Sequence, residues 1–207
     1  MEKETGRVEA FSDGVFAIAI TLLILEIRVP EIAEEAGNGR LGAALLHLWP
    51  SFLAFVFSFF VILVMWINHH EFMRWVRAVD YPFLFSNGLV LLMVTFVPFP
   101  TAVVARHLGT GAANAAVAFY CGTFVLVSVA YQALFLSVAY RRRLVRAEVP
   151  DEAIARVRRA YRMGPVVYGL STLLALWSAT LGLLLCASLW ILWTRLCYHA
   201  RDENAPA

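Results

Sequence analysis

The side chains able to do chemistry in this sequence gather at two places. One is Ser12-Asp13, at the head of an apolar run; the other is Asn68-His69-His70-Glu71, near the end of a second. Histidines and acids together suggest a metal site or a proton relay. Neighbouring residues on a helix point about 100° apart, so His69, His70 and Glu71 do not share a face, and no metal is expected. Cys121, Cys186 and Cys197 form no CxxC spacing. They read as small apolar packing residues. No nucleophile–base set and no phosphate-binding loop can be assembled, so an enzyme is not expected, nor is a cofactor. A proton-coupled secondary transporter using Asp13 with His69 or His70 is one reading. Transporters, however, place such groups near the midplane, often on broken helices, whereas Asp13 sits near one end of a run without proline. A helix cap by Ser12 or Asp13 is the plain reading of those two residues. The sharper one is a polar anchor between helices, an Asp–His or Asp–Arg pair, with Asn68 and the histidines at the same depth as Asp13.

These residues are set in a chain of 207, of which 61% are hydrophobic and 15% charged, with a net charge of +2. Soluble domains carry about 25% charged residues. A soluble fold of this size cannot hide so much apolar surface, which excludes a disordered chain, a nucleic-acid-binding domain and an ordinary soluble enzyme. About 20 apolar residues cross a bilayer. Runs at about 8–27, 41–67, 81–105, 113–140, 163–178 and 181–198 give six expected spans in one unit, 1–207, the last pair divided where Ser, Ala, Thr and Gly cluster at 178–182. The fold class is therefore an all-α membrane protein. Asp13 and the mixed charges before it argue against a cleavable leader, so the first run is expected to remain as a span.

Charge sets the orientation. With the N-terminus cytoplasmic, fourteen of the 17 Lys and Arg residues fall inside, and only Arg28, Arg40 and Arg106 outside. Both termini are then cytoplasmic, in a multi-pass protein of the cell membrane. The loop 141–162 carries Arg141, Arg142, Arg143, Arg146, Arg156, Arg158, Arg159 and Arg162, and its expected partners are anionic lipid headgroups rather than nucleic acid. Pro150-Asp151-Glu152 reads as a helix start, which extends the fifth span into the cytoplasm. The tail from Asp202 is expected to fray.

In the first span Ile18, Leu22 and Leu25 recur at i, i+4 and i+7 with Thr21 beside them, a narrow stripe of the kind that packs helices. Periodicity alone assigns it nothing more. Arg7, Phe11, Ser12 and Asp13, however, stand in the RxxxFSD pattern at the head of the first span. Together with the 66–72 region from Trp66 to Phe72 and the span pattern, the chain resembles the transmembrane protein 175 family of potassium channels, in its single-copy prokaryotic form. The resemblance implies a homotetramer around a central pore lined by the first helix. It places the constriction at Ile18, with Leu22 and Leu25 as outward layers and Thr21 adjoining, and gives Arg7, Ser12 and Asp13 a structural role in holding helices together. It also makes potassium the permeant ion. There is no TVGYG loop to replace the hydration shell with carbonyls, and no span carries the repeated arginines of a voltage sensor. A leak-type channel with a hydrophobic gate is the expectation.

Overall fold

The computed structural model describes residues 2–31 and 38–202, with the side chains of 2–4, 38, 190–192 and 194–202 undescribed. Most of the tail read as frayed lies outside this set. The described residues are helical: α1 (Glu2–Leu22), α2 (Asn38–His47), α3 (Trp49–Trp75), α4 (Tyr81–Phe96), α5 (Pro98–His107), α6 (Ala113–Ala139), α7 (Asp151–Trp177) and α8 (Ala179–Asp202). A 3-10 turn, Leu23–Glu26, prolongs α1. An isolated bridge between Val76 and Val145 is the only β pairing among the described residues.

Four segments are long and apolar enough to cross a membrane: Thr5–Glu26, Trp49–Trp75, Tyr81–His107 and Ala113–Ala139. The apolar parts of α7 and α8 are shorter; α7 packs along α6, and α8 folds back against both. Ser178 is extended (φ −147°, ψ 113°), ends α7 and lets α8 fold back. Gly182 is required at that crossing: a Cβ there would lie 2.5 Å from the Cβ of Ala175 and 2.8 Å from its Cα. Asn114, at the start of α6, pins the turn. Its Nδ2 donates to the carbonyls of Trp177 (3.1 Å) and Leu176 (3.3 Å), and its Oδ1 accepts from the Ala179 N–H (2.9 Å). Three backbone groups orphaned by the helix ends thus find partners.

Proline sets two further boundaries. The run expected at 41–67 breaks at Leu48, and α3 begins at Trp49 with Pro50 in its first turn. The helix therefore continues to Trp75, and Asn68, His69 and His70 lie within it. The third run divides at Val97, where Pro98 opens α5. Pro100 supplies no N–H either, so the α-helical ladder cannot pass through this point unchanged.

The core is built around α6, whose Val117, Tyr120, Phe124, Leu134 and Phe135 are almost wholly buried. At the arginine-rich end the loop after α6 docks on the end of α3: Arg77 N–H donates to Leu144 O (2.8 Å) and Arg146 N–H to Trp75 O (2.9 Å). Asp80 caps α4 by accepting from the Phe83 N–H (3.1 Å) and pairs with the Arg141 guanidinium. The helix start expected at Pro150-Asp151-Glu152 is present: α7 begins at Asp151, with Asp151 and Glu152 in its first turn.

Candidate functional site: the two faces of the first helix

Helix α1 has two unlike faces. Ser12, Phe16, Ala19 and Leu23 fall at i, i+4, i+7 and i+11, and all are buried. This spacing keeps one stripe turned toward α3 and α4. On the other side Phe11 (67%), Ile18 (58%), Leu22 (43%) and Leu25 (69%) are exposed in the single chain. Thr21 shares that face, its hydroxyl donating to the Ile18 carbonyl at 2.9 Å. Ile20 is half-buried and packs on the core.

The buried face is bonded as well as packed. Asn87 of α4 donates from Nδ2 to Ser12 Oγ (3.0 Å), and its Oδ1 lies 2.7 Å from His69 Nε2 on α3. Because Asn87 offers its oxygen to the ring, Nε2 is the donor. Ser12 in turn donates to the Val8 carbonyl at 2.8 Å. Hydrogen bonds thus run in one direction from α3 through α4 to α1. Ser12 and His69 are completely buried, and the ring centroid of His69 lies 5.3 Å from that of Phe16. One helical step away, Trp66 Nε1 donates to Asp13 Oδ1 at 2.8 Å. His70 stacks on Trp66 with centroids 5.7 Å apart, and its Nδ1 lies 3.2 Å from Glu9 Oε1.

The expected polar residues therefore divide. Ser12, Asp13, Trp66, His69 and His70 come together between α1 and α3. Asn68 turns back on its own helix and donates to the Val64 carbonyl at 2.8 Å. Arg7 and Phe11 stand apart from the bonded set and line, with Asp80, Tyr81 and Asn87, a cleft of about 760 Å³ between α1 and α4. The partner of Asp13 is an indole rather than a histidine or arginine. Two members escaped the sequence reading. Glu9 figures only among the mixed charges before Asp13, and Asn87 lies unremarked in an apolar run. A lone amide in such a run was the available signal, because an amide in hydrocarbon needs a partner. Among the described residues no three His, Cys, Asp or Glu side chains gather as a metal site would require.

A helix with one face fixed by directed bonds and the other left greasy and unpartnered is suited to meet further copies of itself, or a pore axis. Comparison with known proteins points the same way. Residues 7–98 match the family model described as endosomal/lysosomal potassium channel TMEM175. A potassium channel of Chamaesiphon minutus is 44% identical over 206 residues, 99% of this chain and 97% of that one. A potassium channel of Streptomyces collinus is 45% identical over 181 residues, 87% of this chain and 86% of that one. The fold matches the crystal structure of a lysosomal potassium-selective channel TMEM175 homolog from Chamaesiphon minutus with a TM-score of 0.83 at 42% identity, covering 94% of this chain and 98% of that one.

Proposed function

The chain belongs to the TMEM175 potassium-channel family, and from that premise we propose that it is a potassium-selective leak channel, four copies of which surround a pore lined by α1. The observation that carries this reading is the exposed stripe of Ile18, Leu22 and Leu25 opposite a face locked by Ser12 and Asp13. Closed cyclic symmetry is the usual way to cover such a face while leaving a channel on the axis.

Ile18 then makes the narrowest ring, with Leu22 and Leu25 as the next layers and Thr21 beside the constriction. An aliphatic ring offers no ligand to an ion. It gates by dewetting and sieves by the cost of removing water. Potassium holds its water less tightly than sodium, so the ring favours it. Ser12, Asp13, Trp66, His69 and His70 belong to the apparatus that keeps α1 in register, and no ion is assigned to them. The arginine-rich end faces the cytoplasm of a cell membrane, where Arg143, Arg158, Arg159 and Arg162, all exposed, meet anionic headgroups. With their shorter apolar stretches, α7 and α8 complete six spans.

A proton-coupled transporter built on Asp13 and His69 or His70 finds less support. Asp13 is held by the Trp66 N–H, a donor only, and the chain that starts at His69 ends on a backbone carbonyl instead of a second titratable group. Recording from purified protein in planar bilayers tests the choice. Single-channel steps are expected, and Ile18→Asn should raise conductance severalfold and weaken discrimination between potassium and sodium. Ile20→Asn, about 200° around the helix, should do less. Slow flux that depends on a proton gradient, without unitary steps, would reverse the assignment.

A further inference from the structure

Away from α1, a cavity of about 620 Å³ opens between α3, α5, α6 and α8, at the end of the bundle that carries the α7–α8 turn. Its volume is that of a small-molecule site. Among the described residues that line it none belongs to α1, so it stands apart from the proposed pore. Trp49 and Trp177 mark its rim, both more than half exposed. Ser58 and Tyr120 form its floor. From Trp49 to Ser58 is nine residues of continuous helix, about 13 Å at 1.5 Å per residue. That is close to half of a hydrocarbon core about 30 Å thick.

At its floor and at Asn114 the polar side chains of this cavity are already bonded, which leaves the Thr180 hydroxyl near the rim. At the floor the Ser58 and Tyr120 hydroxyls are 3.0 Å apart, and Thr101 Oγ1 lies 2.7 Å from Ser58 Oγ and 2.8 Å from the Val97 carbonyl. The Asn114 amide is committed to the α7–α8 turn. No Asp, Glu, Lys, Arg or His is among the described residues that line it, and its walls are groups such as Leu53, Phe57 and Leu183. A polar guest would give up its hydration and find at most a hydroxyl near the rim in return. Water gains little from walls of this kind. An apolar chain loses nothing and buries its surface. Tryptophan at the mouth suits the depth of the headgroups, where an amphipathic ring is favoured.

We propose that this cavity is a lipid site, filled by one acyl chain of a phospholipid from the leaflet at the α7–α8 end, with the headgroup at the level of Trp49 and Trp177. The proposal rests on the membrane reading of α3 and α6 and not on the pore.

The test uses the full chain in liposomes that contain phosphatidylethanolamine bearing a diazirine deep in one acyl chain. After illumination, labelled residues are mapped by peptide mass spectrometry. Ala54 and Tyr120, buried from the outer surface but lining the cavity, should be labelled in addition to lipid-facing Leu173. A diazirine near the headgroup should leave Ala54 and Tyr120 unlabelled. Ala187→Trp, which fills the cavity from α8, should reduce labelling of Ala54 and Tyr120 severalfold while Leu173 keeps its own. Labelling of Leu173 alone in the parent would overturn the site, whether water or a second copy of the chain fills the space. Equal labelling of Ala54 and Tyr120 in parent and Ala187→Trp would overturn it as well. Because the parent needs no substitution, a variant that fails to fold leaves the first comparison intact. Channel currents are read separately, so the lipid site and the pore can fail independently.

Discussion

Asn87 is one amide on which three helices depend. It accepts from His69 on α3 and donates to Ser12 on α1, and both of those groups are fully buried. Among the described residues Asp13 makes one interhelical bond, to Trp66. Interhelical bonds in membranes are worth about 1 kcal/mol each, so Asp13→Ala should lower stability by about that much. Asn87→Ala removes two bonds and strands two buried groups, and the loss should be about twice as large. Thermal unfolding in detergent should rank the variants in that order; equal midpoints would mean that the chain through Asn87 carries no weight. The ranking also marks what could be read before the fold was known. Asp13, His69 and His70 were recognisable because polar residues at the ends of two apolar runs fall at one depth, whereas Trp66 entered only through the family resemblance and the expected partner of Asp13 was a histidine or arginine. Asn87 was not recognisable, since a single amide within one run has no period and no partner visible in sequence.

At the scale of elements, composition located the apolar segments but not their breaks. Leu48 and Val97 interrupt helices because prolines follow them, yet proline in a membrane helix is common enough that the break cannot be placed from sequence alone. The docking of the α6–α7 loop on Trp75 and Arg77 is a tertiary pairing with no local signature. The division between α7 and α8 was legible, because small residues cluster there, and Gly182 shows why they must. Its missing side chain lets the helices cross at Ala175, with a distance of 2.5 Å to the place a Cβ would occupy. Gly182→Ala forces backbone apart, so a loss of about 1–3 kcal/mol is expected, as for other overpacked contacts. The same measurement checks it: Gly169→Ala, which has open space at its Cβ on the same helix pair, should unfold close to the parent. If Gly182→Ala also unfolds there, the close crossing is not a feature of the folded protein.

For the whole molecule, the exposed stripe of α1 is the unfinished part of a single chain. Phe11, Ile18, Leu22 and Leu25 lie on the surface of a helix whose other side is fixed. Native mass spectrometry in mild detergent should find four chains as the main species, and a monomer or dimer as the sole species would remove the basis for an axial pore. The claim at the centre is narrower, that position 18 of every chain meets at the axis. It is tested most directly by current through reconstituted Ile18→Cys, with silver ion added to the bath. Thiolates gathered around one axis bind a soft metal tightly, and an ion held there fills the narrowest ring. Rapid block of Ile18→Cys is expected, with the parent unaffected at the same dose and Ile20→Cys blocked weakly or not at all. Unchanged current through Ile18→Cys, or equal block of Ile18→Cys and Ile20→Cys, would contradict a pore lined by this face of α1.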